Sequence, residues 1–200
     1  MIAKGCLHIA ILPMPFLIAS LILIPLTSFF IYPLSLFLIL QIFFLFFFRD
    51  MPRKVEDGIV SPADGKVIHA EKNRVAIFMS LFDMHVNLMP YDGRIAGMKH
   101  YPGRHAPAYG DVGKNERLEI EVETDMGKMK IIQIAGMVAR RIVPYVREGE
   151  FIKKGEKIGI IRFGSRVDVI LRDGCRVLVR KGEKIKAGER IAISEKIQKN

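Results

Sequence analysis

Arg147-Glu-Gly-Glu-Phe-Ile-Lys-Lys-Gly-Glu-Lys-Ile-Gly-Ile160 and Arg180-Lys-Gly-Glu-Lys-Ile-Lys-Ala-Gly-Glu-Arg-Ile-Ala-Ile193 are two copies of one pattern, Gly-Glu-x-Ile-Lys-x-Gly-Glu-x-Ile. Each copy predicts a turn, a short strand, a second turn and another strand, because Gly marks the turns and the isoleucines favour the strands. Two such copies can pair as a quasi-symmetric β sandwich. Upstream, helical periodicity is nearly absent after residue 50. Arg117-Leu-Glu-Ile-Glu-Val-Glu123 alternates strictly, as a half-buried strand does. Val67-Ile68, Val75–Met79, Met129–Ile134 and Val167–Leu171 are further strand candidates. The fold class expected for residues 49–200 is therefore mostly β.

The first quarter of the chain is of another kind. Residues 5–48 contain no Asp, Glu, Lys or Arg and are dominated by Leu, Ile, Phe and Pro. One helix needs about 20 residues to cross a bilayer core of roughly 30 Å. This block is too long for one span and suits two short hydrophobic helices, near 7–24 and 29–48, with the turn either at Pro25, Thr27 and Ser28 or at Tyr32-Pro33. Backbone groups in lipid must bond internally, so a helical hairpin is the natural form. It is also too long for a secretory signal, and no small-residue cleavage site precedes Arg49. Residues 1–48 are thus expected to anchor the chain in the cell membrane. Lys4 at one end and Arg49, Arg53 and Lys54 at the other place both ends on the cytoplasmic side.

Residues 49–200 carry 30 basic against 21 acidic residues. A basic surface suits an anionic lipid leaflet. No basic stripe interleaved with aromatics, zinc-finger spacing or recognition-helix pattern points to nucleic acid. Cys6 lies in the apolar block and Cys175 near the C-terminus, so no disulfide framework is expected. No metal site is expected, since no HExxH or cysteine pair is present, and no Walker loop, GxGxxG or GxSxG appears.

One tetrapeptide, Phe163-Gly164-Ser165-Arg166, interrupts two strand-like runs within Gly155–Val169. It resembles the self-cleavage site of phosphatidylserine decarboxylases. Ser61-Pro-Ala-Asp64-Gly65-Lys-Val67, Asp83-Met-His85-Val-Asn-Leu88-Met-Pro90, Asn115-Glu116-Arg117 and Ile134-Ala-Gly-Met-Val-Ala-Arg140-Arg141-Ile142 follow in the order of that family's short form, found in bacteria and archaea. The resemblance covers roughly residues 45–195. The Gly-Glu repeats are likewise similar to the hammerhead units of biotinyl and lipoyl carrier domains, and Asp64–Val67 resembles that fold's opening strand. This implies a hammerhead or barrel-sandwich arrangement. No Met-Lys-Met turn is present to carry a cofactor on lysine.

The resemblance implies that Ser165 attacks the Gly164 carbonyl and becomes a pyruvoyl cofactor. Chains 1–164 and 165–200 would then remain associated. The pyruvoyl carbonyl would condense with the amine of a serine-headed phospholipid, phosphatidylserine or archaetidylserine, and accept electrons as carbon dioxide leaves. His85 would be the general base and Asp64 its orienting carboxylate. Imidazole titrates near neutrality and suits proton transfer. Where longer relatives carry a second histidine this chain has Leu88, leaving His100 and His105 as the nearest alternatives. Asn115, Glu116 and Arg117 would shape the substrate site, and Arg140 and Arg141 would meet a lipid phosphate, which guanidinium matches bidentately. The stretch 97–113 would form a lid. Exposed β edges leave a homodimer open. Two rivals remain: a membrane-anchored adaptor or carrier module in which Gly164-Ser165 is a plain turn, and a serine hydrolase using Ser165, His85 and Asp64 without self-cleavage.

Overall fold

A computed structural model describes residues 1–137, 141–163 and 165–194. The chain divides into two compact units, Met1–Met51 and Pro52–Asn200.

The first unit is helical. A single turn, α1 (Leu7–Ala10), is followed by α2 (Met14–Leu23), a 3-10 turn at Ser28–Phe30 and α3 (Ile31–Phe47). The first expected helix is divided at residues 11–13. Pro13 lacks an N–H and caps α2, with Pro15 in its first turn. Phe16 of α2 stacks on Phe37 of α3 at 4.8 Å between ring centroids. Gln41 Nε2 donates to Ala10 O at 2.7 Å. The ends meet, with Asp50 N donating to Met1 O at 2.7 Å and Ala3 N to Phe48 O at 2.8 Å. Ser28–Phe47 is long and apolar enough to cross a membrane, whereas Leu7–Leu23 is shorter.

The described elements of the second unit are all β strands. Its strands are β1 (Ile59–Val60), β2 (Gly65–Glu71), β3 (Arg74–Met79), β4 (Val86–Leu88), β5 (Gly93–Tyr101), β6 (Arg117–Thr124), β7 (Gly127–Ala135), β8 (Arg141–Pro144), β9 (Phe151–Ile152), β10 (Lys157–Arg162), β11 (Ser165–Ile170), β12 (Cys175–Val177), β13 (Lys184–Ile185) and β14 (Arg190–Ser194). An antiparallel eight-stranded sheet has the order β13-β2-β3-β11-β7-β6-β5-β9, and two small sheets run β1-β14-β12 and β4-β10-β8. Leu118, Ile120 and Val122 of β6 enter the core as the alternation predicts, joined by Val67, Val75, Ile77, Ile131, Val167 and Val169. Fully burying each such side chain contributes about 1.5–3 kcal/mol. The stretch 97–113 is not one loop, since β5 continues to Tyr101 past a register shift between Ile95 and Gly97.

The sheet orders are symmetric about the β11–β7 pair, and the repeated sequence explains why. The four Gly-Glu turns close alike: the carboxylates of Glu150, Glu156, Glu183 and Glu189 accept the backbone N–H of Arg147, Lys153, Arg180 and Lys186 at 2.8–2.9 Å. Their glycines have φ between +83° and +96°, which only glycine adopts without cost. Each turn also exchanges two hydrogen bonds with an upstream residue. Gly149 and Glu150 clamp Ile95, Gly155 and Glu156 clamp Met89, Gly182 and Glu183 clamp Val67, and Gly188 and Glu189 clamp Ser61. The clamped segments are themselves related: Ser61-Pro-Ala-Asp-Gly-Lys-Val67 and Met89-Pro-Tyr-Asp-Gly-Arg-Ile95. Each Gly-Glu copy therefore binds one x-Pro-x-Asp-Gly segment, and among the described strand pairs the two copies do not bond to each other. The hairpin 124–127 joins β6 to β7. At the equivalent place β3 exits at Met79 and β11 enters at Ser165.

Candidate active site

Ser165 opens β11, opposite Met79 on one side and Ala135 on the other. It is fully buried, and among the described residues its hydroxyl makes only a weak contact, 3.8 Å to Met79 Sδ. Phe163, two residues before it, has φ +64°, a left-handed conformation that is an outlier for a bulky residue. Gly164 and Arg140 lie outside the described residues.

His85 is fully buried immediately before β4. Its carbonyl accepts from Ile161 N at 3.4 Å, which ties it to β10, the strand that leads into Phe163 and Ser165. Its Nδ1 lies 2.9 Å from Asp83 O, which accepts a hydrogen bond when that nitrogen is protonated. The Asp83 carboxylate in turn accepts from Ser80 N and Ser80 Oγ, both at 2.7 Å, closing the loop that leaves β3 beside Ser165.

Asp64 is buried and faces other partners. Its Oδ1 accepts from Ala187 N at 2.9 Å and its Oδ2 pairs with Arg53. The following Gly65 is required, because a Cβ there would lie 2.2 Å from Phe78 O. Asp64, Ser80 and Asp83 line a cleft of about 560 Å3 with Lys66, Phe82 and Lys184.

Asn115 reaches the Ser165 neighbourhood. Its Nδ2 donates to Ala135 O at 2.7 Å and Ala106 O at 2.8 Å, and so holds the residue paired with Ser165. Glu116 bonds His100 Nε2 at 3.0 Å and His105 Nε2 at 2.9 Å, which gathers the two alternative histidines on one carboxylate. Burial alone would push the Glu116 carboxyl up, but the hydrogen bonds and charges of His100 and His105 together hold it below the usual range. Arg117 is directed to Glu119 at 3.0 Å and lies over the Tyr101 ring. Arg141 is exposed on β8, opposite Arg162.

Sequence reasoning missed Asn87 and Gln133. Both are fully buried, with Gln133 Nε2 donating to Asn87 Oδ1 at 2.7 Å. Asn87 Nδ2 lies 3.6 Å from Met79 Sδ, the same sulfur that the Ser165 hydroxyl approaches. On the opposite face of β11, Arg166 and Arg74 both pair with the fully buried Asp168.

Ser165 is thus a buried serine on an internal strand, entered through the left-handed Phe163, and the buried His85 is tied by its carbonyl to the strand that leads into it. The family described as phosphatidylserine decarboxylase matches residues 40–193. A protein of Archaeoglobus fulgidus named as a candidate archaetidylserine decarboxylase proenzyme is 42% identical over 181 residues, covering 90% of this chain and 93% of its own. A phosphatidylserine decarboxylase proenzyme of Streptomyces griseus is 46% identical over 146 residues, 70% of this chain and 68% of its own. A second candidate archaetidylserine decarboxylase proenzyme, from Methanothermobacter thermautotrophicus, is 40% identical over 169 residues, 71% of this chain and 76% of its own. The chain belongs to the phosphatidylserine decarboxylase family and is an enzyme.

Proposed function

We propose that the enzyme decarboxylates a serine-headed phospholipid, phosphatidylserine or archaetidylserine, to the ethanolamine-headed lipid, after cleaving itself between Gly164 and Ser165. The observation that carries this reading is the left-handed Phe163 leading into a buried Ser165 whose hydroxyl, among the described residues, has no strong hydrogen bond. Strain of this kind costs on the order of 1–3 kcal/mol and is released when the chain is cut.

In this reading the Ser165 hydroxyl gives its proton to His85 and adds to the Gly164 carbonyl, so that the acyl group moves from nitrogen to oxygen. Elimination frees the Gly164 carboxylate and leaves a dehydroalanine. Water replaces its nitrogen as ammonia, leaving a pyruvoyl group at residue 165. The site fits such a group, since Ser165 is enclosed between β3 and β7 and heads its own strand. When present, the pyruvoyl carbonyl supplies the electron sink for decarboxylation.

His85 serves as proton carrier, with Asp83 O orienting its ring. Asp64 acts through charge rather than through a hydrogen bond to the ring, because its oxygens serve Ala187 and Arg53. Asn115, Glu116 and Arg117 shape the site wall through Ala135, the histidine pair and Glu119, while Arg140 and Arg141 are candidates for the lipid phosphate. Chains 1–164 and 165–200 stay together, because β11 lies between β3 and β7, β13 on β2 and β14 on β1. The repeat pairs form a hammerhead sandwich, and residues 1–48 hold the enzyme at the cytoplasmic face of the cell membrane.

The test is an intact mass spectrum of the purified protein. Two species, 1–164 and a pyruvoyl-blocked 165–200, are expected from the wild type, and one 22.7 kDa chain without activity from Ser165→Ala. A single natively folded wild-type chain would overturn the mechanism and favour the adaptor reading.

A further inference from the structure

The cleft beside Asp64 is lined by three lysines and three carboxylates, and one of the carboxylates, Asp64, is already paired with Arg53. Lys66 of β2 and Lys184 of the edge strand β13 are directly opposite partners in an antiparallel pair. Like charges so placed repel. Lys186 lines the same cleft. Among the described residues, none of these three ammonium groups has a carboxylate within ion-pair distance. Of the cleft's acids Asp64 pairs with Arg53, whereas Asp83 and Glu189 accept from the neutral donors of Ser80 and the backbone N–H of Lys186 and keep their charge. At the same cleft the loop after β3 turns two apolar residues outward, with Phe82 73% and Leu81 38% exposed.

From this we infer that Leu81-Phe82 and the lysines Lys66, Lys184 and Lys186 form a docking surface for the headgroup layer of an anionic lipid membrane. Exposed apolar side chains beside a lysine cluster match the layered polarity of a bilayer surface, with rings entering the acyl boundary and ammonium groups at the phosphates. Lipid phosphate between Lys66 and Lys184 relieves their repulsion, which a neutral partner could not do. The inference rests on the phospholipid reading and adds a location. The loop that touches lipid is the one whose Asp83 carbonyl orients His85, so docking sets the headgroup beside the proton carrier.

The chain has no tryptophan, so Phe82→Trp introduces a single reporter. Phe151→Trp, on β9 at the other edge of the large sheet and 57% exposed, is the control. Each full-length variant is reconstituted into phosphatidylcholine vesicles, with or without phosphatidylglycerol and with bromine on the acyl chains. The indole emission of the Phe82→Trp protein is expected to shift to the blue and to be quenched, more strongly with the anionic lipid. That of the Phe151→Trp protein should stay unquenched. Replacing Lys66, Lys184 and Lys186 with Gln together should remove most of the anionic-lipid dependence. Equal quenching at the two positions overturns the inference. So does a triple variant whose lipid response is unchanged, since its lysines then only shield a sheet edge. The mass spectrum of the same samples separates the two readings. Cleaved Phe82→Trp protein with unquenched emission overturns the docking surface alone, and uncleaved protein with quenched emission overturns the self-cleavage alone.

Discussion

Asp64 and Asp92 are structural counterparts: Asp64 Oδ1 accepts the backbone N–H of Ala187 at 2.9 Å, and Asp92 Oδ1 accepts that of Lys154 at 2.6 Å. Each carboxylate pins the turn of one Gly-Glu copy onto its own Asp-Gly segment. The two differ in surroundings, because Asp64 is buried and also pairs with Arg53, whose Nε already lacks a partner among the described residues. Asp64→Ala should therefore cost about 2–3 kcal/mol, since it loses a buried hydrogen bond and leaves a guanidinium unpaired. Asp92→Ala, at an exposed site, should cost about 1 kcal/mol or less. Denaturant unfolding of both variants in a Ser165→Ala background checks this. Equal costs would mean that the Arg53 pair contributes nothing.

Phe163 carries the left-handed backbone that precedes the proposed cleavage point. Phe163→Gly should make that conformation cheaper by roughly 1–2 kcal/mol and thereby slow self-cleavage, because less strain is released. Phe163→Asn, which tolerates the same φ, should act in the same direction. The measurement is the rate at which newly made full-length chain converts to two pieces. Cleavage as fast as wild type in both variants would show that the strain is not used.

Glu116 links the end of β5 to the segment before β6 through His100 and His105. Its carboxyl is held below the usual value of about 4.5. A carboxylate depressed on folding contributes stability that is present above its unfolded pKa and is lost as pH falls through the lower, folded value. The wild type should thus lose stability on acidification below about pH 4.5 more steeply than Glu116→Gln. Melting temperatures of the two proteins across the acid range test this, and parallel curves would mean that the Glu116 bonds to His100 and His105 add no stability.

The legibility of the chain differed between its parts for physical reasons. Strands such as β6 were readable because one face is buried and the other wet, so Leu118, Ile120 and Val122 alternate with Glu119, Glu121 and Glu123. The Gly-Glu turns were readable because a positive φ demands glycine. Their partners were not, because the likeness between Ser61–Val67 and Met89–Ile95 rests on only Pro, Asp and Gly at shared positions, and its meaning lies in long-range hydrogen bonds. Within the candidate site, Ser165 and His85 were found through the family resemblance of the segments that hold them. Asn87 and Gln133 were not, since a lone amide in a strand normally marks the solvent side. Gln133 instead faces the core beside Val167, where its partner comes from 46 residues away.

That amide pair yields the last prediction. Gln133→Leu leaves Asn87 Oδ1 buried without its donor and should cost about 1–3 kcal/mol, the penalty of an unsatisfied buried group. Asn87→Leu should cost a similar amount, because it strands Gln133 Nε2. When both are replaced no polar group is left unpaired, so the double variant should cost clearly less than the two single changes together. Denaturant unfolding of the three variants, again with Ser165→Ala to keep the chain uncut, measures the coupling. Strict additivity would mean that the 2.7 Å contact carries no net energy. In the cleavable chain, Asn87→Leu also removes the amide that meets Met79 Sδ beside the Ser165 hydroxyl. The sulfur is then free to shift, and slower conversion to two pieces is expected even at temperatures where the variant is fully folded. Conversion at the wild-type rate would confine Asn87 to holding the core.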